Sequence, residues 1–132
     1  MQLDTSFPSS SSSSVILIVE DDYALREALR TALQEEGFSV LAAGNGVEAL
    51  EILAREDLPF LILLDMMMPV MDGREFQQEM AKSARLATIP VIILSAYVQS
   101  CVAAGTNGVQ FVLRKPIGLT GLLAYIGRYR AR

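Results

Sequence analysis

In the stretch "LILLDMMMPVMDG", residues 61–73, an aliphatic run is followed by one acid, three consecutive methionines and a proline, and the stretch closes on an Asp-Gly pair. The aliphatic run has no polar face, so it predicts a strand over residues 60–64 that is buried on both sides, as in a parallel sheet. Asp65 follows this strand directly. It either hydrogen-bonds the turn that follows or carries chemistry, and the remainder of the chain is needed to decide between these roles.

Composition predicts one domain. The chain has 132 residues, of which 52% are hydrophobic, and this length is typical of a single core. Its longest apolar runs, residues 15–19 and 58–64, are far shorter than the roughly 20 residues of a membrane helix. Residues 1–14 have no signal-peptide pattern and predict a disordered, serine-rich tail, which leaves residues 15–132 as the domain. Cys101 is the only cysteine, which favours a reduced, cytoplasmic setting.

Charge is distributed unevenly along the chain. Residues 1–79 contain all 15 acids and four basic residues, whereas residues 80–132 contain seven basic residues and no acid. The basic residues are scattered and lack interleaved aromatic residues, so direct nucleic-acid binding is not expected. The chain has no histidine. Any histidine chemistry that its function requires must therefore come from a partner.

Short apolar runs alternate with segments of helical periodicity. Helices are predicted after residue 22, after Asn45 and over residues 73–85, with a short, weakly marked helix over residues 98–104 and a last helix from Leu119. In the second of these helices, the inward positions are predicted to be Val47, Leu50, Leu53 and Ala54. Gly121 and Gly127 weaken the last helix unless it is packed. The remaining strands are predicted over residues 15–19, 38–43, 89–95 and 109–113.

This alternation predicts an α/β fold with a doubly wound, five-stranded parallel sheet and helices on both faces. In such folds the functional site lies outside the carboxyl ends of the strands. Polar residues follow four of the five predicted strands: Glu20, Asp21 and Asp22; Asp65; Ser95; and Arg114 and Lys115.

Clustered carboxylates repel one another unless a cation joins them, and Mg²⁺ is commonly held by one or two carboxylates and a phosphate. Asp21, Asp22 and Asp65 suit such a site. Asp65 can also serve as a nucleophile that takes a phosphoryl group, while Lys115 and the Ser95 hydroxyl contact the phosphoryl oxygens. Taken singly, each residue is more simply explained as a cap or a solvated charge. Their shared position at strand ends favours the site.

The sequence resembles the receiver domains of two-component response regulators, of the chemotaxis-regulator type, over residues 15 to about 127. The resemblance rests on the order and spacing of the motifs "VILIVEDD", "LLDMMMPVMDG", "IPVIILSA" and "RKP". It implies a flavodoxin-like sheet with strand order 2-1-3-4-5. It further implies a cytoplasmic phosphorelay protein that accepts a phosphoryl group from a sensor histidine kinase or a histidine phosphotransfer protein and then switches partner binding.

The resemblance also implies a role for each matching residue. Asp65 is the phosphoacceptor, Asp21 and Asp22 belong to the magnesium pocket, and the backbone carbonyl of Met67 is a further ligand. Ser95 is the switch hydroxyl and Lys115 contacts the phosphoryl group, followed by an expected cis peptide to Pro116. Such a domain is not an enzyme acting on other molecules, although it promotes its own Mg²⁺-dependent phosphorylation and dephosphorylation.

The match departs from the family at Val112, where receivers usually carry an aromatic switch residue. Met67 and Tyr97 occupy positions that tune phosphate loss, and neither is a general base, which predicts a long-lived phosphoryl group. One alternative is a pseudo-receiver that acts only as a protein-interaction module. A haloacid-dehalogenase-like phosphatase is disfavoured because Met67 stands where a second acid is needed. A flavodoxin-like cofactor binder is disfavoured because no phosphate loop follows the first strand.

Overall fold

Five parallel strands form the centre of the molecule. In the computed structural model, which describes residues 14–55, 57–95, 109–115 and 118–130, they lie in the order 2-1-3-4-5. The predicted fold class and strand order are therefore confirmed. The strands are β1 (Val15–Val19), β2 (Ser39–Ala43), β3 (Leu61–Asp65), β4 (Val91–Ser95) and β5 (Val109–Arg114).

Helices cover both faces of this sheet. Side chains along β1, β3 and β4 alternate between two buried clusters, as the twofold period of a strand requires. Leu53 and Phe76 pack in one cluster, and Leu29 and Leu122 pack in the other. The helices are α1 (Tyr23–Glu35), α2 (Gly46–Arg55), α3 (Gly73–Ala81) and α4 (Leu119–Arg130), with a 3₁₀ turn at Leu86–Thr88.

The ends of the helices follow from local hydrogen bonding. Gly37 ends α1 with a φ of 96°, and the N–H groups of Gly37 and Phe38 donate to the carbonyls of Gln34 and Leu33, the pattern of a Schellman motif. Asn45 caps α2 by accepting from the N–H of Glu48 at 2.9 Å. These caps fix where each helix leaves the sheet edge.

Two helices differ from the predictions. In α2 the buried residues are Gly46, Ala49 and Leu53, whereas Val47 and Ala54 are exposed. A Cβ added at Gly46 would lie 2.6 Å from Cγ of Met71, so the close packing of Gly46 sets the rotation of this helix.

The third helix is shorter than predicted, ending at Ala81 instead of Arg85. The N–H groups of Lys82 and Ser83 donate to the carbonyls of Glu79 and Met80, which tightens the last turn. Ser83 Oγ then accepts from the N–H of Leu86 at 3.2 Å and begins the 3₁₀ turn.

Despite its two glycines, α4 forms a helix because it is packed: Leu122 and Ile126 are fully buried. The predicted tail, apart from Ser14, and the predicted helix over residues 98–104 lie outside the described residues. Within the part of the chain that the structure describes, no helix is long and apolar enough to cross a membrane.

Candidate functional site

Three acids meet at the carboxyl edge of the sheet. Glu20 follows β1, and its N–H continues the pairing with β2 by donating to the carbonyl of Ala43 at 3.0 Å. Asp21 comes next in the chain, and Asp65 is the last residue of the neighbouring strand β3. One carboxylate oxygen from each of Glu20, Asp21 and Asp65 lies within 4.8 Å of the others. Asp21 is exposed, whereas Glu20 and Asp65 are buried. Asp21 is therefore the member of the cluster that solvent reaches most readily.

Lys115 adds a positive charge to this cluster from the end of β5. Its ammonium Nζ lies 2.9 Å from Oε1 of Glu20 and 3.3 Å from Oδ1 of Asp65. The lysine follows β5, and its backbone N–H donates to the carbonyl of Ser95 at 2.8 Å. One cation thus faces two buried acids.

Burial and charge shift the protonation of the site. Burial, with the nearby charge of Glu20, raises the pKa of Asp65 from 3.8 to about 7, although Lys115 and the N–H of Met67 act in the opposite direction. For Lys115, burial favours loss of the proton, but the hydrogen bond to Glu20 and the charge of Asp65 outweigh it, so its pKa is raised. The site has excess negative charge, which a cation would relieve.

The loop after β3 holds Asp65 in place. The N–H of Met67 donates to Oδ1 of Asp65 at 3.3 Å, and the N–H of Gly73 donates to the carbonyl of Met66 at 3.1 Å. Asp72 caps α3 through a reciprocal capping box with Glu75. A Cβ added at Gly73 would lie 2.6 Å from the carbonyl oxygen of Asp65. Glycine is needed there because α3 begins directly against the backbone of the acid.

Asp22 does not join the cluster, in contrast to the prediction. Its Oδ1 accepts from the N–H of Leu25 at 3.2 Å and caps α1, while Glu20 takes the position beside Asp21 and Asp65. The sequence contains a signal for this assignment: Asp22 directly precedes the first residue of a periodic helical segment, where aspartate is a preferred N-cap.

The other predicted site residues are positioned as follows. Ser95 is buried at the end of β4, one residue beyond Leu94, which pairs with Asp65 in the sheet. The carbonyl of Met67 as a metal ligand stays a prediction. Val112 is partly buried and packs against the cluster that contains Ile93. Tyr97 and Pro116 lie outside the described residues.

The fold and the site together define a class of protein: a doubly wound α/β domain with an acidic pocket, faced by a lysine, at the carboxyl edge of its sheet. The family model for the response regulator receiver domain matches residues 16–127. The chain belongs to that family, as the sequence resemblance indicated.

Known proteins support this assignment. The response regulator MprA of Mycobacterium leprae is 42% identical over 113 residues, which cover 84% of this chain and 48% of MprA. This chain therefore spans about half the length of the curated relatives it matches. The receiver domain of the Francisella response regulator 1452 has a TM-score of 0.79 at 26% identity, with 90% of this chain and 98% of that chain covered. TrrA of Thermotoga maritima, solved in complex with Mg(2+)-BeF, has a TM-score of 0.75 at 28% identity, with 88% of this chain and 98% of TrrA covered.

Proposed function

We propose that the chain accepts a phosphoryl group on Asp65 from the phosphohistidine of a sensor histidine kinase or a histidine phosphotransfer protein, and that this changes which partners it binds. One observation carries the proposal. In a chain of the receiver family, the carboxylates of Glu20, Asp21 and Asp65 gather within 4.8 Å, with Lys115 Nζ at 2.9 Å and 3.3 Å from two of them.

The proposed reaction forms one bond and breaks another. A carboxylate oxygen of Asp65 attacks the phosphorus and the P–N bond to the donor imidazole breaks. The leaving nitrogen takes up a proton from solvent, so that the donor histidine departs as a neutral imidazole. The product is an acyl phosphate on Asp65. Positioning and charge neutralisation are the main demands of phosphoryl transfer. Lys115 meets part of this demand because it already lies against the reacting carboxylate, and the Ser95 hydroxyl is proposed as a second contact.

The donor set fits Mg²⁺, which prefers oxygen ligands. Glu20, Asp21 and Asp65 would hold the ion, with the Met67 carbonyl as a further proposed ligand. When bound, Mg²⁺ offsets the charge of the acids and of the incoming phosphoryl group. It would also favour the ionised form of Asp65, whose pKa burial raises to about 7. The complex of the related TrrA with Mg(2+)-BeF supports this choice of ion.

The wider assignment follows from this chemistry. We propose a cytoplasmic phosphoprotein in a two-component phosphorelay, acting through protein partners and not as an enzyme on other substrates. Because the matched relatives are about twice as long, the downstream target is proposed to be either another protein or an output domain of a longer chain. Met67 offers no general base beside Asp65, so the acyl phosphate is expected to be long-lived.

The test is incubation with acetyl phosphate and MgCl₂ followed by intact mass measurement. The wild type is expected to gain the mass of one phosphoryl group, and Asp65→Asn is expected to gain none. Asp57→Asn, which changes an exposed acid outside the site, serves as the matched control and should behave like the wild type. Absence of an adduct on the wild type, with no Mg²⁺ binding, would favour a pseudo-receiver used only for interaction.

A further inference from the structure

Val70 lies in a strained turn of the loop that follows Asp65. Its φ is 70°, and the N–H of Met71 donates to the carbonyl of Pro69 at 2.8 Å, which closes a three-residue turn around Val70. A γ-turn with positive φ at its central residue is the rarer, strained form. Valine is poorly suited to it, since a β-branched residue in the left-handed region is a genuine outlier.

The fold gains little from this side chain. Val70 is 78% exposed, so its methyl groups bury almost no surface that would offset the strain. Glycine or asparagine adopts positive φ more readily. Backbone strain that is retained near a functional site indicates that the side chain has a role other than stabilising the fold.

The surroundings of Val70 are apolar as well. Among the side chains that the structure describes, the exposed large hydrophobic ones all lie at the carboxyl edge of the sheet, in the first turn of a helix or in the loop after β3. Tyr23 and Met67 are the most exposed after Val70, at 68% and 62%. These residues follow four of the five strands at the same edge as the acidic cluster, where their exposed apolar surface is available to a protein partner. The members of this set are Tyr23, Val47, Met67, Val70 and Leu119.

The acceptor itself requires a partner that covers this edge. Asp65 is only 2% exposed, so a phosphoryl group fixed to a protein side chain reaches it only when the donor surface sits on the surrounding loops. These 132 residues contain no histidine, so a phosphohistidine must come from another domain or another protein. Val70 is five residues past Asp65 on one of those loops.

We propose that Val70 is an apolar anchor for the histidine-bearing protein that delivers the phosphoryl group, and that it increases transfer from that protein without taking part in the chemistry. This inference rests on the proposed function. The partner expected at the apolar carboxyl edge is a phosphohistidine protein with an apolar patch next to its histidine.

The experiment compares two donors that break the same type of P–N bond. One is phosphoimidazole, which has no protein surface. The other is a histidine phosphotransfer domain, phosphorylated in advance and chosen from a panel for its transfer to the wild-type chain. Val70→Thr keeps the shape and the β-branch while making the side chain polar, and Val70→Ile keeps it apolar. Urea unfolding verifies that both variants are folded.

Val70→Thr is expected to slow transfer from the protein donor about fivefold, the size of a single lost apolar contact at an interface. Labelling by phosphoimidazole should stay at the wild-type rate, and Val70→Ile should transfer normally with both donors. The inference would be overturned if Val70→Thr slowed transfer equally with both donors, or slowed it with neither. It would also be overturned if phosphoimidazole labelled the wild type but no protein donor did. Failure of the wild type with every donor would instead defeat the proposed function.

Discussion

Lys115 Nζ lies 2.9 Å from Oε1 of Glu20, and this ion pair joins the ends of two strands that β3 and β4 separate in the sheet. Glu20 is fully buried, whereas the lysine is about one-fifth exposed. Removing the lysine would leave a buried carboxylate without its cation, which is more damaging than removing an exposed pair.

Lys115→Met is therefore expected to lower the free energy of unfolding by about 2 kcal/mol at pH 7.5 without divalent ions, with part of the loss restored by MgCl₂. The control is Lys82→Met, which breaks the exposed pair with Glu79 at 2.8 Å and should cost less than about 0.5 kcal/mol. Urea unfolding measures both. Equal losses in the two variants would contradict the role given to the Glu20–Lys115 pair.

Glu20 and Asp22 are expected to separate metal binding from helix capping. Glu20→Gln should weaken Mg²⁺ binding by about tenfold or more, since it removes one of the three carboxylates that the described part of the chain brings together. Asp22→Ala should leave Mg²⁺ affinity near the wild-type value while costing about 1 kcal/mol of stability through the lost cap. Isothermal titration with MgCl₂ and urea unfolding give the two readouts. A large loss of Mg²⁺ affinity in Asp22→Ala alone would restore the assignment based on sequence.

The raised pKa of Asp65 predicts that stability falls with rising pH. The unfolded chain loses this proton near pH 3.8, whereas the folded chain loses it near pH 7. Between these values the folded state binds more protons than the unfolded state, so the free energy of unfolding decreases as pH rises. Above pH 7 both states have lost this proton, and Asp65 no longer makes the stability depend on pH.

Asp65→Asn should remove that dependence. At pH 8 in EDTA the variant is expected to be more stable than the wild type by up to about 4 kcal/mol, which corresponds to the change in pKa from 3.8 to about 7. At pH 4 the gain should vanish. Urea unfolding from pH 4 to 8 measures the stability difference between the two proteins. Parallel pH profiles would contradict the prediction.

Replacement by alanine should have opposite effects on stability at two glycines. Gly73→Ala places a Cβ 2.6 Å from the carbonyl oxygen of Asp65 and 2.7 Å from Cα of Met66, so the backbone must shift at a cost of about 2 kcal/mol. Gly121→Ala meets no atom within 4 Å and should add about 0.5 to 1 kcal/mol through helix propensity. Thermal and urea unfolding measure both, and phosphorylation should be impaired only in Gly73→Ala.

Relief of the strained turn should raise stability. Val70→Asn is expected to add about 1 kcal/mol, because asparagine tolerates positive φ at a lower cost than a β-branched residue. Val47→Asn is the control, since Val47 is also an exposed valine but lies in the first turn of α2 and has no positive φ. It should give no gain in urea unfolding. A gain of the same size in both variants would remove the evidence for strain.

The elements that local sequence patterns mark were predictable from the sequence. The apolar run around Leu63 predicted a strand buried on both faces, and Asn45 marked the start of the second helix. The strand ends then located Asp65 and Lys115 at one edge, where the structure places them in contact.

Predictions were less accurate where several residues compete for one role. Three successive acids follow β1, and periodicity alone does not determine which of them faces the pocket. The cap of α1 takes Asp22, which leaves Glu20 for the cluster. Similarly, the face that α2 buries depends on the contact between Gly46 and Met71, which are 25 residues apart in the chain, so no local pattern reports it.

The backbone bond from Lys115 to Ser95 has a mechanical consequence. Because the N–H of Lys115 donates to the carbonyl of Ser95 at 2.8 Å, the last residue of β4 is hydrogen-bonded through the main chain to the residue that follows β5. We therefore expect a displacement of either residue to shift the main chain of the other, so that the two strand ends respond together.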